Sequence, residues 1–250
     1  MRINQYLARS GLASRRKAEV YVLAGRVKIN GQVIRSLSYQ VRPEDRVEVD
    51  GDLLTLAQPV FYLFHKPAHC LASHQDPHEE HLIYAYLPKD PSLFSVGRLD
   101  FDSEGLLFIT NQGSLAQAIA HPAHEMEKEY WVLLDRPFSL QDRSRLLQGV
   151  RYEGIFYQVD GVDQRFERSY PITGWNQAPV EQKLRLILHE GKKREVRRLL
   201  LALGYRVERL VRVRIGPLDL KGLKAGSFRP AKDIELALLK EWERSTQTDE

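Results

Sequence analysis

The hydrophobic positions change period as the chain advances. Ile3, Tyr6 and Leu7 recur at helical spacing, and Gly11 closes that segment. Ser14 is suited to cap a second helix with Ala18, Tyr21 and Val22 on one side, and Gly25 ends it. From Val27 the period is two. Val27-Lys28-Ile29 alternates, Asn30-Gly31 is a strong hairpin signal, and Val33-Ile34 returns. Arg46-Val47-Glu48-Val49 alternates again before Asp50-Gly51. Residues 1–57 therefore predict two helices followed by a small sheet. Ala57-Gln58-Pro59 serves as a linker, and an apolar strand from Phe61 to Phe64 opens a second region spanning 58–236.

The second region is organised around residues 96–113. A charged tight loop between Gly97 and Gly105 leads into the apolar run Leu106–Ile109, which predicts a buried strand, and Asn111-Gln112-Gly113 turns the chain. Ser114 caps a helix carrying Leu115, Ala118 and Ile119, stopped near His121-Pro122. Glu127 to Leu134 is charged and then strand-like, and a helix capped by Ser139 covers 139–148. Residues 150–180 are weakly periodic and predict only strands and loops. Leu184, Leu186 and Leu188 share one strand face, and Gly191 turns the chain. A helix then places Val196, Leu199, Leu200 and Leu203 on its buried stripe before Gly204. Val211, Val213 and Ile215 alternate with Arg212 and Arg214, which predicts one apolar and one basic strand face. Residues 237–250 are polar and acidic and predict a disordered tail. Strands outnumber helices and hairpin signals recur, so the expected class is α+β, with a largely antiparallel mixed sheet flanked by helices.

Composition narrows the possibilities only slightly. The 250 residues are 43% hydrophobic, enough for one large domain or a large and a small one. The net charge of +4 permits a polyanionic partner without requiring one. No apolar run of about 18 residues predicts a membrane span. The start lacks an apolar signal core, and the single cysteine, Cys70, cannot form an internal disulfide, so a cytoplasmic monomer is expected.

The distribution of charge is more informative than its sum. Arg15, Arg16 and Lys17 open one predicted helix, with Arg26 and Lys28 entering the following hairpin; Lys192, Lys193, Arg194, Arg197 and Arg198 crowd the start of another. Cations at a helix N-terminus oppose its dipole, so an external polyanion supplies a reason for them, against the plain alternative of a solvated face. Five of the eight histidines, His65, His69, His74, His78 and His81, cluster around Cys70. They lack paired ligand spacing, and the segment suits an exposed loop, so no metal is expected. Asp100, Asp102 and Glu104 could share a cation only on an extended segment, and Gly105 predicts a turn instead.

The run Gly-Arg-Leu-Asp, Ser-Glu-Gly-Leu-Leu, Thr-Asn-Gln-Gly resembles the signature loop of RNA pseudouridine synthases of the RsuA/RluB type, with Ser103 where Thr is common and Gln112 where Asp is common. Lys-Glu-Tyr at 128–130 resembles that family's second motif, and His-Glu-Gly-Lys-Lys-Arg-Glu-Val-Arg-Arg-Leu its third. His65-Lys66-Pro67 stands where the family commonly has Asn-Lys-Pro, in a loop near the substrate. Residues 1–57 resemble the alpha-L RNA-binding domain, the module named after a small-subunit ribosomal protein. The resemblance implies that Asp100 is catalytic and that Arg197 pairs with it. It also implies that Tyr130 contacts the target base and that Arg98 fills the gap left when that base is flipped out.

The expected partner is then a ribosomal RNA stem-loop, of the large subunit from the look of the third motif, with the small subunit as the alternative. Phosphate contacts are expected from Arg15, Arg16, Lys17, Arg26, Lys28, Lys192, Lys193 and Arg194. No cofactor is implied, because the isomerisation has no net redox change and a carboxylate suffices as nucleophile or base. A ribosome-associated RNA-binding factor would keep the basic patches, but it would have no need of Asp100, Tyr130 and Arg197 together.

Overall fold

The computed structural model describes residues 1–73, 81–121, 124, 126–166 and 170–247. Contacts divide the chain into two compact units. The first is Met1–Phe61 with the short segments Pro88–Phe94 and Ile109–Gly113; the second is Tyr62–Leu87, Ser95–Phe108 and Ser114–Glu250.

In the first unit, helices α1 (Ile3–Arg9) and α2 (Arg15–Leu23) precede strands β1 (Val27–Ile29), β2 (Gln32–Ile34), β3 (Val47–Val49) and β4 (Asp52–Leu53). The strands pair antiparallel in the order β2-β1-β3-β4. Asn30 and Gly31 both have positive φ, 51° and 82°, the turn that matches the twist of paired strands. The Ser14 hydroxyl accepts from the Lys17 N–H and caps α2. Ile3, Leu7, Ala18, Val22, Val27, Ile29, Val47 and Val49 form the core, so the two periods meet on one apolar surface. The turn at 110–112 belongs to this unit. Asn111 Oδ1 accepts from Val60 N–H at 3.0 Å and its Nδ2 donates to Gln58 O at 2.7 Å, which ties down the 58–60 segment.

The following elements are β5 (Phe61–Lys66), β6 (Phe94–Val96), β7 (Glu104–Thr110), α3 (Gly113–Ala120), β8 (Lys128–Leu134) and α4 (Leu140–Gln148). Then come β9 (Val150–Tyr152), β10 (Ile155–Tyr157), β11 (Gly161–Asp163), β12 (Lys183–Leu188), α5 (Glu195–Ala202), β13 (Val207–Ile215), β14 (Leu218–Asp219), β15 (Phe228–Pro230) and α6 (Asp233–Gln247). One sheet runs β11-β12-β8-β13-β7-β5-β15, with β14 on β13 and β6 on β7; β9 and β10 form a separate hairpin. The β13–β7 pair is parallel, whereas β11–β12, β12–β8, β8–β13, β13–β14 and β5–β15 are antiparallel. The fold is α+β with a mixed, mostly antiparallel sheet. Leu184, Leu186, Leu188, Val132 and Leu134 point to the face covered by Val196, Leu199 and Leu200 of α5.

Two expectations are corrected, and the basic face of β13, present as expected, is occupied. Gly105 lies inside β7, not in a turn: its φ is +118°, and a Cβ there would stand 2.2 Å from the Arg212 carbonyl oxygen. Glycine is needed because the β13 backbone comes that close. The basic face of β13 is not open. Arg212 is only 6% exposed and donates from Nε to Leu106 O, and Arg214 is held between Glu127 and Glu129. Finally, the tail is not disordered as far as Gln247, because α6 continues there. Leu239 is fully buried, acids occupy the first turn, and Glu235 pairs with Arg229 while accepting from Lys232 N–H at 2.8 Å. Residues 248–250 lie outside the described residues.

Candidate active site

The loop between β6 and β7 is held mainly by its backbone. Ser103 N–H donates to Asp100 O at 3.1 Å and closes a turn. Phe101 O accepts from His69 N–H at 2.7 Å. Beneath the turn the fully buried Lys66, at the end of β5, donates from Nζ to Ser103 O at 2.7 Å and to Pro67 O at 3.0 Å. Burial pushes the Lys66 ammonium down to about 8, partly offset by the neighbouring Cys70 and by the carboxylates of Asp102, Asp100 and Glu104. Glu104, at the start of β7, is buried and paired with Arg209.

Above this floor the loop presents Asp100 and Asp102, each with a side chain roughly one-third exposed, at 37% and 35%. The N-terminal end of α5 supplies the counter-charge. Arg194, in the left-handed region at φ 53°, lies 3.3 Å from Asp102 Oδ2 and 3.9 Å from Asp100 Oδ2. Arg197 is pinned: its Nη2 lies 3.2 Å from Asp102 Oδ2 and donates to Asp102 O at 3.0 Å, and its Nη1 donates to Val207 O at 2.9 Å. Burial pushes the Arg197 guanidinium below its ordinary value, with Asp102 and then Asp100 opposing that shift. Arg197 thus takes Asp102, not Asp100, as its ion-pair partner. Its anchorage at Val207 O and Asp102 O brings the guanidinium to the Asp102 end of the turn.

The other expected site residues are distributed as follows. Arg98 is exposed and makes no hydrogen bond or ion pair among the described residues. Tyr130 sits on β8, half-buried against the core, opposite Leu186 on β12 and Arg212 on β13. Among the described residues no hydrogen bond, ion pair or ring contact joins it to the Asp100 loop. His65 is wholly buried with Nδ1 against Leu223 O at 2.9 Å, and burial lowers its pKa, leaving a neutral ring in the core. His69 packs edge-on to Phe101, and His74 and His78 lie outside the described residues. Among the described residues no three His, Cys, Asp or Glu side chains are arranged to hold a metal ion. In the first unit Arg15, Arg16, Lys17 and Lys28 are exposed, while Arg26 pairs with Asp50 and lies over the Tyr21 ring. Lys192 is taken by Glu190 and Phe156 O, and Lys193 is exposed.

Sequence reasoning assigned no site role to Lys66 and weighed Asp102 only as a metal ligand. The signal for Lys66 was a lysine ending an otherwise apolar strand.

Residues 60–202 match the RNA pseudouridylate synthase family, and residues 1–47 match the S4 domain. This chain belongs to the RNA pseudouridylate synthase family. An uncharacterized RNA pseudouridine synthase of Aquifex aeolicus is 38% identical, with 96% of this chain and 93% of that protein covered. Ribosomal large subunit pseudouridine synthase B of Bacillus subtilis is 30% identical, with 96% and 95% covered. A pseudouridylate synthase crystal structure superposes with a TM-score of 0.64 at 27% identity, covering 96% of this chain and 99% of that one. The synthase isomerises uridine to pseudouridine in RNA, and its residues 1–47 are an RNA-binding S4 domain.

Proposed function

We propose that this synthase modifies a uridine in a stem-loop of large-subunit ribosomal RNA, with Asp100 as the reacting carboxylate. The substrate assignment is supported by the full-length likeness to the Bacillus subtilis large-subunit enzyme. The Asp100 assignment rests on one observation: a partly exposed carboxylate on a turn whose backbone is gripped from below by Lys66 and from the side by Arg197. Rigid placement of that kind lets a single group serve as nucleophile or base.

The reaction breaks the bond between ribose C1′ and N1, turns the base, joins C1′ to C5 and moves the C5 proton to N1. Atoms and electrons balance within the nucleotide. A stacked base must leave the helix to reach Asp100, and loop uridines cost least to extrude. Arg98, exposed two residues before Asp100, fills the vacated stack. Tyr130 offers a flat face and a hydroxyl to the flipped base. Arg15, Arg16, Lys17, Lys28 and Lys193 take phosphates and fix register without reading sequence.

The test is pseudouridine mapping of unmodified transcripts of both ribosomal RNAs, incubated with wild-type protein or Asp100→Asn. One new pseudouridine in the large-subunit RNA, made by wild type alone, is expected. Modification of the small-subunit transcript would redirect the substrate assignment, and modification by Asp100→Asn would remove Asp100 from its role.

A further inference from the structure

Of the three arginines on β13, two have acids and one has none. Arg209 meets Glu104, and Arg214 meets Glu127 and Glu129. Arg212 is 6% exposed, forms no ion pair among the described residues, and uses only Nε, which donates to Leu106 O at 2.9 Å. Its Nη2 is buried without a hydrogen-bond partner, and its Nη1 has none among the described residues. An enclosed guanidinium with an empty fork is costly to a fold. We propose that Arg212 is a catalytic residue whose Nη edge takes a carbonyl oxygen of the flipped uracil and holds the charge that gathers there as the base leaves the ribose. This rests on the reading of the Asp100 loop as the reacting centre.

The ladder puts Arg212 in the right row. It stands directly opposite Tyr130 on β8 and pairs with Gly105 on β7, the strand that leaves the Asp100 loop. Directly paired residues share a face, so the Arg212 and Tyr130 side chains are neighbours, and Gly105 adds no side chain to the row. Two other charged groups act here. Burial, and then the Arg212 charge, push the Lys128 ammonium down to about 8, with Glu195 opposing. Lys128 donates to Met126 O and His189 O, and Glu195 takes the Lys192 N–H, so neither fills the fork. A nearly buried cation beside an aromatic ring suits an extruded base better than a phosphate, which stays in water. When the C1′–N1 bond breaks, its electron pair stays with the uracil and spreads from N1 onto O2 and O4. The pair returns to carbon when C5 joins C1′, and the C5 proton then passes to N1. A donor already aimed at one of those oxygens stabilises that charge without rearranging.

The test compares full-length wild type, Asp100→Asn, Arg212→Met and Arg212→Lys in single-turnover rate at saturating protein. The RNA is the ribosomal transcript that wild type modifies, made with uridine, 2-thiouridine or 4-thiouridine. Arg212→Met should keep wild-type RNA affinity and salt slope, melt no lower than wild type, and react about 100- to 1,000-fold more slowly. The ratio of wild-type to variant rate should shrink on one of the two thio-RNAs, because sulfur accepts a hydrogen bond weakly and wild type has then already lost the contact. A ratio equal on all three RNAs overturns the proposal, as does an unchanged rate on uridine. A salt slope lowered by about one would make Arg212 a phosphate contact and overturn it too. Should Arg212→Met melt early, Arg212→Lys, which keeps the charge and loses the fork, must show the same shrinking ratio or the proposal falls. An active Asp100→Asn would instead strike at the reading of the loop.

Discussion

Two helices of this protein begin in a run of cations, and the structure treats the two runs oppositely. At the start of α2, Arg15, Arg16 and Lys17 are exposed, with no acid in the first turn and no ion pair among the described residues. At α5, Lys192 is on Glu190, Arg194 and Arg197 are on Asp102, and Arg198 reaches Glu153 and the Tyr157 hydroxyl. In sequence the runs look alike, both placed where a helix dipole disfavours them. The difference comes from distant chain, since Asp102 lies 92 and 95 residues before its two arginines. Cations of a helix start face outward to a polyanion where the fold brings them no acid, as for the α2 run and, at α5, for Lys193.

That contrast can be broken experimentally. Arg197→Gln should have the largest effect, a loss of about 2–3 kcal/mol in denaturant unfolding, because Val207 O and Asp102 lose a buried partner. It should leave the salt dependence of RNA binding unmoved. An unchanged stability would put Arg197 in the same class as the α2 cations. The triple substitution Arg15→Ala, Arg16→Ala, Lys17→Ala should do the reverse. RNA affinity should fall about 10- to 100-fold at low salt and the salt slope by about 2–3, while folding is unharmed or slightly favoured. A slope equal to wild type would refute their phosphate role.

The smallest effect is expected at Glu195, the first residue of α5. It is 5% exposed, and burial pushes its carboxyl up to about 7 despite the Lys192 N–H bond. A folded-state value raised above 4.5 means that the folded protein holds the proton more tightly, so stability falls as pH rises from 4.5 through about 7. Glu195→Gln should therefore match wild type below that window and exceed it above by on the order of 1 kcal/mol. Equal melting temperatures at pH 8 would contradict the assignment.

Much of the fold was legible because it follows local rules. The Leu184-Leu186-Leu188 alternation, the Val196-Leu199-Leu200 stripe and the Asn30-Gly31 turn each carry their geometry within a few residues. What escaped depends on partners far along the chain. Gly105 sits in a strand because the backbone of Arg212 lies against it. Arg214 is enclosed because Glu127 and Glu129 face it across β8 and β13. α6 persists past residue 237 because Leu239 finds a buried place and Arg229 meets Glu235. The candidate site divides in the same way. Asp100, Arg197 and Arg194 could be named from motifs, but which acid each arginine meets depends on how Val207 and Asp102 position α5 against the loop.

The loop's hold on its main chain has an evolutionary consequence. Lys66 and His69 N–H take the carbonyls of Ser103 and Phe101, and Arg197 takes that of Asp102. Every residue type carries a carbonyl, so these grips are indifferent to the exposed side chain at 101. Descendants can exchange that side chain, and with it what the mouth of the site presents to different RNAs, while Asp100 keeps its place. Substrate choice can drift without the chemistry having to be rebuilt.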